Sequence, residues 1–144
     1  MFPPLLLVLL CARCATLPRT SVPSLSEPED VVFKADCDGT EQRYVLVLPE
    51  GHHPVRTHDV LVVFHGHGSD RWQYVLNPRD ECRAARDAAA KRGMIFVSPD
   101  YRACTSWMGP KAEADTLQIL RELKSRHRVG RVFLCGGSMG ATAA

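Results

Sequence analysis

The sequence predicts an α/β chain built on a mixed, mostly parallel sheet with flanking helices. Three observations carry that expectation. Val60-Leu61-Val62-Val63-Phe64, Met94-Ile95-Phe96-Val97 and Val132-Phe133-Leu134-Cys135 are continuously apolar. They lack the alternation of a strand wetted on one face, as parallel strands covered on both faces require. Helical segments separate them, and strand, helix, strand, helix, strand is the order of a right-handed parallel sheet. Finally, Cys37-Asp38-Gly39-Thr40 stands between two β-rich runs, Val31 to Ala35 and Arg43 to Leu48. Asp-Gly tolerates the positive φ of a tight turn, so an antiparallel hairpin precedes the parallel part.

Taken in order, the chain opens on MFPPLLLVLLCARCAT, an apolar stretch from Leu5 to Ala12 followed by small residues. That pattern suits the core of a secretory signal peptide, with Ala12 and Cys14 spaced for cleavage near Ala15, although no Lys or Arg precedes it. The expected leader covers residues 1–15 and the expected location is secreted or periplasmic. Cys11 and Cys14 also suit a lipoprotein, but Leu10 and Arg13 fit that processing poorly. Residues 16–30, with TSVPSLSEPED at their end, are too polar and proline-rich to offset ordering entropy and read as a linker. Residues 31–144 then form the folded part.

In the first helical segment Asn77 is the expected N-cap and Pro78 the first helical residue, with Asp80 and Glu81 near the positive end of the dipole. Cys82, Ala85, Ala88 and Ala89 share one face, and Gly93 ends the helix. Pro110 opens the second segment, where Leu117, Leu120 and Leu123 share a face with Ile119 nearby.

Composition narrows the function classes. With 144 residues, 45% of them hydrophobic and 24% charged, the chain has the make-up of one ordinary globular domain and not of a disordered tail. Eighteen basic against sixteen acidic residues leave a net charge of +2, and no basic stripe with interleaved aromatics appears, so nucleic acid is not an expected partner. No apolar run beyond the N-terminus approaches the roughly 20 residues that span a bilayer. Past the leader, four cysteines remain: Cys37, Cys82, Cys104 and Cys135. Export permits disulfides, yet Cys135 closes an apolar run where a buried thiol is usual, leaving at most one pair among the others.

Chemistry in open α/β sheets collects at the carboxyl ends of the strands. The third apolar run ends in Gly136-Gly137-Ser138-Met139-Gly140, a G-x-S-x-G sequence followed by helix formers. There a serine sits on a sharp turn with its hydroxyl above the sheet, glycines remove clashing Cβ atoms, and the amides that follow face a developing oxyanion. Ser138 is the candidate nucleophile and the Met139 N–H a candidate oxyanion donor. The first run ends in Phe64-His65-Gly66-His67-Gly68. A second donor is expected from the Gly66–Gly68 stretch, with the His67 N–H the first choice. His65 is expected to hydrogen-bond backbone and hold the loop. A zinc pair at His65 and His67 lacks a third ligand nearby, so no metal or other cofactor is expected.

The second run ends in Ser98-Pro99-Asp100-Tyr101-Arg102. Asp100 reads as a partner of Arg102 or a loop cap in preference to a catalytic acid. Trp72, Tyr74 and Trp107 either line a substrate cleft or pack the loops. His127 reads as a cation at a helix C-terminus; His52, His53 and His58 read as solvated loop residues.

These motifs resemble the α/β-hydrolases, specifically the esterase and dipeptidyl-peptidase-like branches. The resemblance rests on Phe64-His65-Gly66-His67-Gly68, Pro99-Asp100-Tyr101-Arg102 and Gly136-Gly137-Ser138-Met139-Gly140 and covers residues 31 to 144. It implies that the Val60, Met94 and Val132 runs are the third, fourth and fifth strands, with Ser138 as nucleophile and Met139 and His67 as oxyanion donors. It further implies a serine hydrolase acting on a small ester, with a serine peptidase as the alternative within enzymes and a non-catalytic binding domain as the alternative outside them. In this family the triad runs Ser, then Asp or Glu, then His. Every His of this chain precedes Ser138, and the six residues after it include no acid. The expectation is therefore an N-terminal part of a longer hydrolase, whose 144 residues alone turn over p-nitrophenyl esters no faster than their Ser138→Ala variant.

Overall fold

A computed structural model describes residues 23–144 of the chain. The expected leader lies outside the described residues. Five strands and four helices alternate: β1 Glu29–Lys34, β2 Glu41–Val47, β3 Thr57–Phe64, α1 Gln73–Leu76, α2 Asp80–Arg92, β4 Ile95–Pro99, α3 Pro110–Arg126, β5 Arg128–Gly136 and α4 Met139–Ala143. The strands form one sheet in the order β1-β2-β4-β3-β5. β3 lies parallel to both β4 and β5, while β2 pairs antiparallel with β1 and β4, so β2 alone runs against the other four. This is the expected mixed, mostly parallel α/β sheet. The hairpin is where Asp-Gly placed it: Lys34 pairs with Glu41, and Gly39, at φ 72°, donates its N–H to Ala35 O.

The apolar runs are apolar on both faces because both faces are covered. Val60, Val62, Phe64, Ile95 and Val97 pack with Ala112, Ile119 and Leu123 of α3. Leu61, Val63 and Phe96 point the other way, against Tyr74, Val75, Cys82, Ala85 and Ala89 of α1 and α2. β5 forms one edge of the sheet, and Phe133 and Leu134 are exposed there.

Four local expectations need correction. The supposed linker is anchored from Leu25 onward: Leu25 bridges to Pro49, Ser26 N–H donates to Leu48 O, and Glu29 already pairs with Leu46. Its backbone is held by the neighbouring strand, which side-chain polarity does not report. The helix after Asn77-Pro78 starts at Asp80, because Asn77 precedes proline and is held extended (ψ 128°) as the C-cap of α1. The Asn77 Oδ1 accepts from Arg79 N–H at 3.0 Å, a turn and not a helix cap. On α3 the buried stripe is Ala112, Asp115, Gln118, Ile119 and Leu123, whereas Leu117 is 51% exposed. Polar residues fill that stripe because each has a partner: Gln118 receives Asp36 N–H and donates to Lys34 O, and Asp115 pairs with Arg102. Lastly, Cys135 is half-buried and the sealed thiol is Cys82, whose pKa burial pushes up. All four described cysteines are unpaired.

Candidate active site

The carboxyl ends of β3, β4 and β5 bring three loops to one side of the sheet. At the end of β5 the chain reverses at Ser138, whose φ of 56° and ψ of −123° few L residues adopt. Ser138 is exposed, while Met139 and Gly140 behind it are buried. The reversal is possible only because its flanks are glycine. A Cβ on Gly140 would stand 2.0 Å from Phe64 O, and one on Gly136 would stand 2.3 Å from the Gly140 carbonyl. Both collisions are with backbone, so neither can be relieved by a rotating side chain. Tyr74 from α1 brings its hydroxyl beside Gly137, where a Cβ would lie 3.1 Å away; burial pushes the phenol pKa up to about 12 and keeps it protonated.

The loop after β3 lies against this turn: a Cβ on Gly66 would be 3.6 Å from Gly137 O. Within Gly66–Gly68, two of the three N–H groups are taken up by the fold. Gly66 N–H donates to Gln73 Oε1 at 2.7 Å, and Gly68 N–H donates to Cys104 O at 2.8 Å. His67 N–H has no hydrogen-bond partner among the described residues, and neither does Met139 N–H. Buried or site-lining N–H groups without partners are rare, and the two assigned from sequence are among them here.

His65 is fully buried and does hold the loop. Its Nδ1 lies 2.9 Å from Gly66 O and its Nε2 3.2 Å from Asp100 O, while Tyr101 Oη donates to His65 O at 2.5 Å. Asp100 caps the same loop, but its partner is Arg71 and not Arg102: the Arg71 N–H and guanidinium reach its two oxygens at 2.9 Å each. Arg71 also grips Asp30 of β1, holding that carboxyl below its ordinary pKa. Arg102 is drawn away to Asp38 (2.8 Å) and Asp115 (2.5 Å), because Tyr101 and Arg102 turn back at φ 34° and 89°.

Of the three aromatics, Tyr74 is buried and Trp72 packs against the core of the α2 face. Trp107 is 53% exposed, at φ 50°, with its ring 6.3 Å from that of His67. Beside the His67 loop an open cavity of about 300 Å³ is lined by Glu41, Arg43, Ser69, Asp70, Asp100 and Cys104, room for a small polar group.

The remaining histidines do not behave as the sequence suggested. His52, His58 and His127 gather at the opposite end of the strands, His52 stacking on His58 at 4.8 Å and meeting His127 edge-on at 4.9 Å. His58 Nδ1 lies 2.8 Å from Gly93 O. Burial first, then neighbouring positive groups, holds the pKa of His52 and of His127 below the ordinary value, so His127 is a neutral packed ring and not a helix-end cation. Only His53 is the exposed loop residue expected. Among the described residues no group of three or more His, Cys, Asp or Glu is arranged to hold a metal ion.

A family model described as the alpha/beta hydrolase fold matches residues 61–144. The chain belongs to the α/β-hydrolase fold family. Solved structures of similar fold include a thermostable esterase (20% identity, TM-score 0.63), covering 81% of this chain and 36% of that one. A ferulic acid esterase from Anaeromyces mucronatus, solved with ferulic acid, matches at 20% identity and TM-score 0.62 over 82% of this chain and 51% of its own. S-formylglutathione hydrolase from Staphylococcus aureus matches at 17% identity and TM-score 0.63 over 82% and 50%. This α/β-hydrolase chain thus spans about a third to a half of their length, and at such identities the likeness is one of fold. No curated protein matches it.

Gln73, Arg71 and the three-histidine cluster escaped the sequence reading. Gln73 and Arg71 belong to no motif and act on backbone or charge brought near by folding. The histidines lie in three separate segments.

Proposed function

We propose that the protein containing this chain is a serine hydrolase that cleaves carboxylic esters through an acyl-enzyme on Ser138. The observation that carries the reading is the exposed Ser138 on a strained turn, in a site where the His67 and Met139 N–H groups have no hydrogen-bond partner among the described residues. A base takes the Ser138 hydroxyl proton as Oγ attacks the ester carbonyl carbon. The carbonyl oxygen becomes an oxyanion that the two N–H groups receive, Gly66 and Gly68 shaping the loop that presents one of them. Collapse expels the alcohol with the proton, and water releases the acid by the same route. His65 is sealed between two carbonyl oxygens, and His52, His58 and His127 lie at the other end of the sheet, so none of these is that base.

Esters are favoured over peptides because the structures of similar fold are named as esterases or as a hydrolase of S-formylglutathione, a thioester. The substrate is a small molecule, with the cavity beside the His67 loop available to a polar part of it. The same proposal includes a mature protein outside the cytoplasm, for which the support is the export pattern in the sequence of residues 1–15. The test is turnover by the protein carrying this chain: p-nitrophenyl acetate is hydrolysed faster than dipeptide anilides, and Ser138→Ala lowers kcat by about 10⁴-fold or more. Faster cleavage of the anilides would replace the ester by a peptide, and an unchanged Ser138→Ala rate would remove the reading.

A further inference from the structure

The peptide units on either side of Gly66 are pinned at separate points. The unit between His65 and Gly66 is pinned through its N–H, which donates to Gln73 Oε1 at 2.7 Å. The unit between Gly66 and His67 is pinned through its C=O, which accepts from Ser69 N–H at 3.2 Å and lies 2.9 Å from His65 Nδ1. In a trans peptide the C=O and the following N–H point in opposite directions, so anchoring Gly66 O sets the direction of His67 N–H. Rotation at Gly66, which has no Cβ to restrain it, is the freedom left between the two units. The bond to Gln73 removes that freedom.

Gln73 is itself held. Its N–H donates to Asp70 O at 3.1 Å, Trp72 N–H before it donates to Asp70 Oδ1 at 2.9 Å, and Arg71 N–H is fixed on Asp100. The side-chain amide lies alongside the Gly66 position, with Oε1 3.7 Å and Nε2 3.8 Å from where a Cβ would stand; Gly137 O, next to Ser138, lies 3.6 Å from the same point. Because Gly66 N–H can only donate, the oxygen of Gln73 must be the atom facing it.

We propose that Gln73 is a positioning residue of this site: by taking up the Gly66 N–H it makes the His67 N–H the one unpaired donor of the Gly66–Gly68 stretch, and locks the rotation at Gly66 that would re-aim it. The catalytic part of the proposal rests on the reading of Ser138 as nucleophile; the structural part does not. Without the Gln73 acceptor, Gly66 N–H is also unpaired, the Gly66–Gly68 stretch has two competing donors in place of one, and rotation at Gly66 between the two peptide units is no longer held.

Amide hydrogen exchange on the full chain tests the structural part without any turnover. In the wild type, Gly66 and Gly68 amides exchange more slowly than His67 by roughly tenfold, the value of one hydrogen bond. Gln73→Met brings Gly66 to the rate of His67 and leaves Gly68 slow, while Gln73→Glu, which keeps an oxygen acceptor, leaves Gly66 protected. Equal rates for Gly66 and His67 in the wild type, or protection of Gly66 surviving Gln73→Met, overturn the proposal. The functional arm is the labelling of Ser138 by a fluorophosphonate in the protein that carries this chain. Gln73→Met lowers the limiting labelling rate by about tenfold to a hundredfold, with the half-saturating probe concentration unchanged, as misaiming and not loss of binding requires. An unchanged limiting rate overturns it. No labelling of wild-type Ser138, with the exchange pattern intact, sinks the hydrolase reading and leaves Gln73 as the loop's anchor.

Discussion

At the carboxyl ends of β3 and β5 the backbone is packed as closely as glycine permits, with Gly140 against Phe64 O and Gly136 against the Gly140 carbonyl. At the amino ends of the same strands, His52, His58 and His127 press ring to ring, and His52 Nε2, His58 Nε2 and His127 Nδ1 are sealed without a hydrogen-bond partner among the described residues. One end is closed by shape, the other by packed imidazoles. Shape there is indifferent to pH and intolerant of a single methyl group. The imidazole end tolerates changes of shape better, since side chains can shift, and is vulnerable to a proton. Strain is concentrated at the first end, where Tyr101, Arg102, Trp107, Met108 and Ser138 all have positive φ. Function is expected where strain is kept, because a fold relaxes an unused turn.

The contrast can be broken by mutation. The largest effect is expected from Gly140→Ala, whose new methyl group meets the Phe64 carbonyl and His65 O at 2.0 and 2.8 Å. Stability should fall by about 4 kcal/mol or more, read from urea unfolding, or the protein should fail to fold. Ala substitution at the exposed His53 of the opposite end should change stability by no more than about 0.5 kcal/mol. A tolerated Gly140→Ala would mean that the turn at Ser138 is not closed by shape.

Next in size is Ser138→Gly. If the turn at φ 56° is strained, glycine should stabilise the chain by about 1–3 kcal/mol relative to Ser138→Ala, which keeps a Cβ. Both variants lose the hydroxyl, so the pair separates strain from chemistry. Equal melting temperatures would show that the turn holds no strain.

The smallest effect is that of pH at the histidine end. Burial, then His127, His58 and His53, holds His52 below its ordinary pKa; burial, then Arg126 and His58, does the same for His127. The unfolded chain titrates these groups near the usual value of about 6.5 and so binds protons that the folded rings refuse. Stability is therefore intact above that value and is lost as pH falls through it toward the lowered folded values. Urea unfolding at about pH 7.5 and about pH 5.5 should show the loss. A His52→Phe, His127→Phe double variant should show less of it, and an equal loss would place the acid sensitivity elsewhere.

The two ends also differ in how well the sequence announced them. The turn at Ser138 was legible because its geometry demands glycine at fixed spacing around the serine: a Cβ at Gly136 or Gly140 would strike backbone. The central strands were legible because Val60 to Phe64 and Met94 to Val97 are covered on both faces and show it in every residue. The helix starts were not, since Asn77-Pro78 is as good a cap signal as any until Pro78 is seen to hold Asn77 extended. The four residues of α1 are too few to show a period, and Gln73 within it acts on a backbone group seven residues earlier. The histidine cluster was invisible because His52, His58 and His127 meet only after a loop, a strand and a helix end are brought together. Packing among residues distant in sequence leaves no local trace, whereas a strained turn does.

The hydroxyl of Ser138 decides the function, and the direct measurement is mass-spectrometric mapping of a fluorophosphonate adduct on the protein that carries this chain. A single adduct on the peptide containing Gly136-Gly137-Ser138-Met139-Gly140, absent from Ser138→Ala, is the expected result. An adduct on another residue, none at all, or one that survives Ser138→Ala would contradict it.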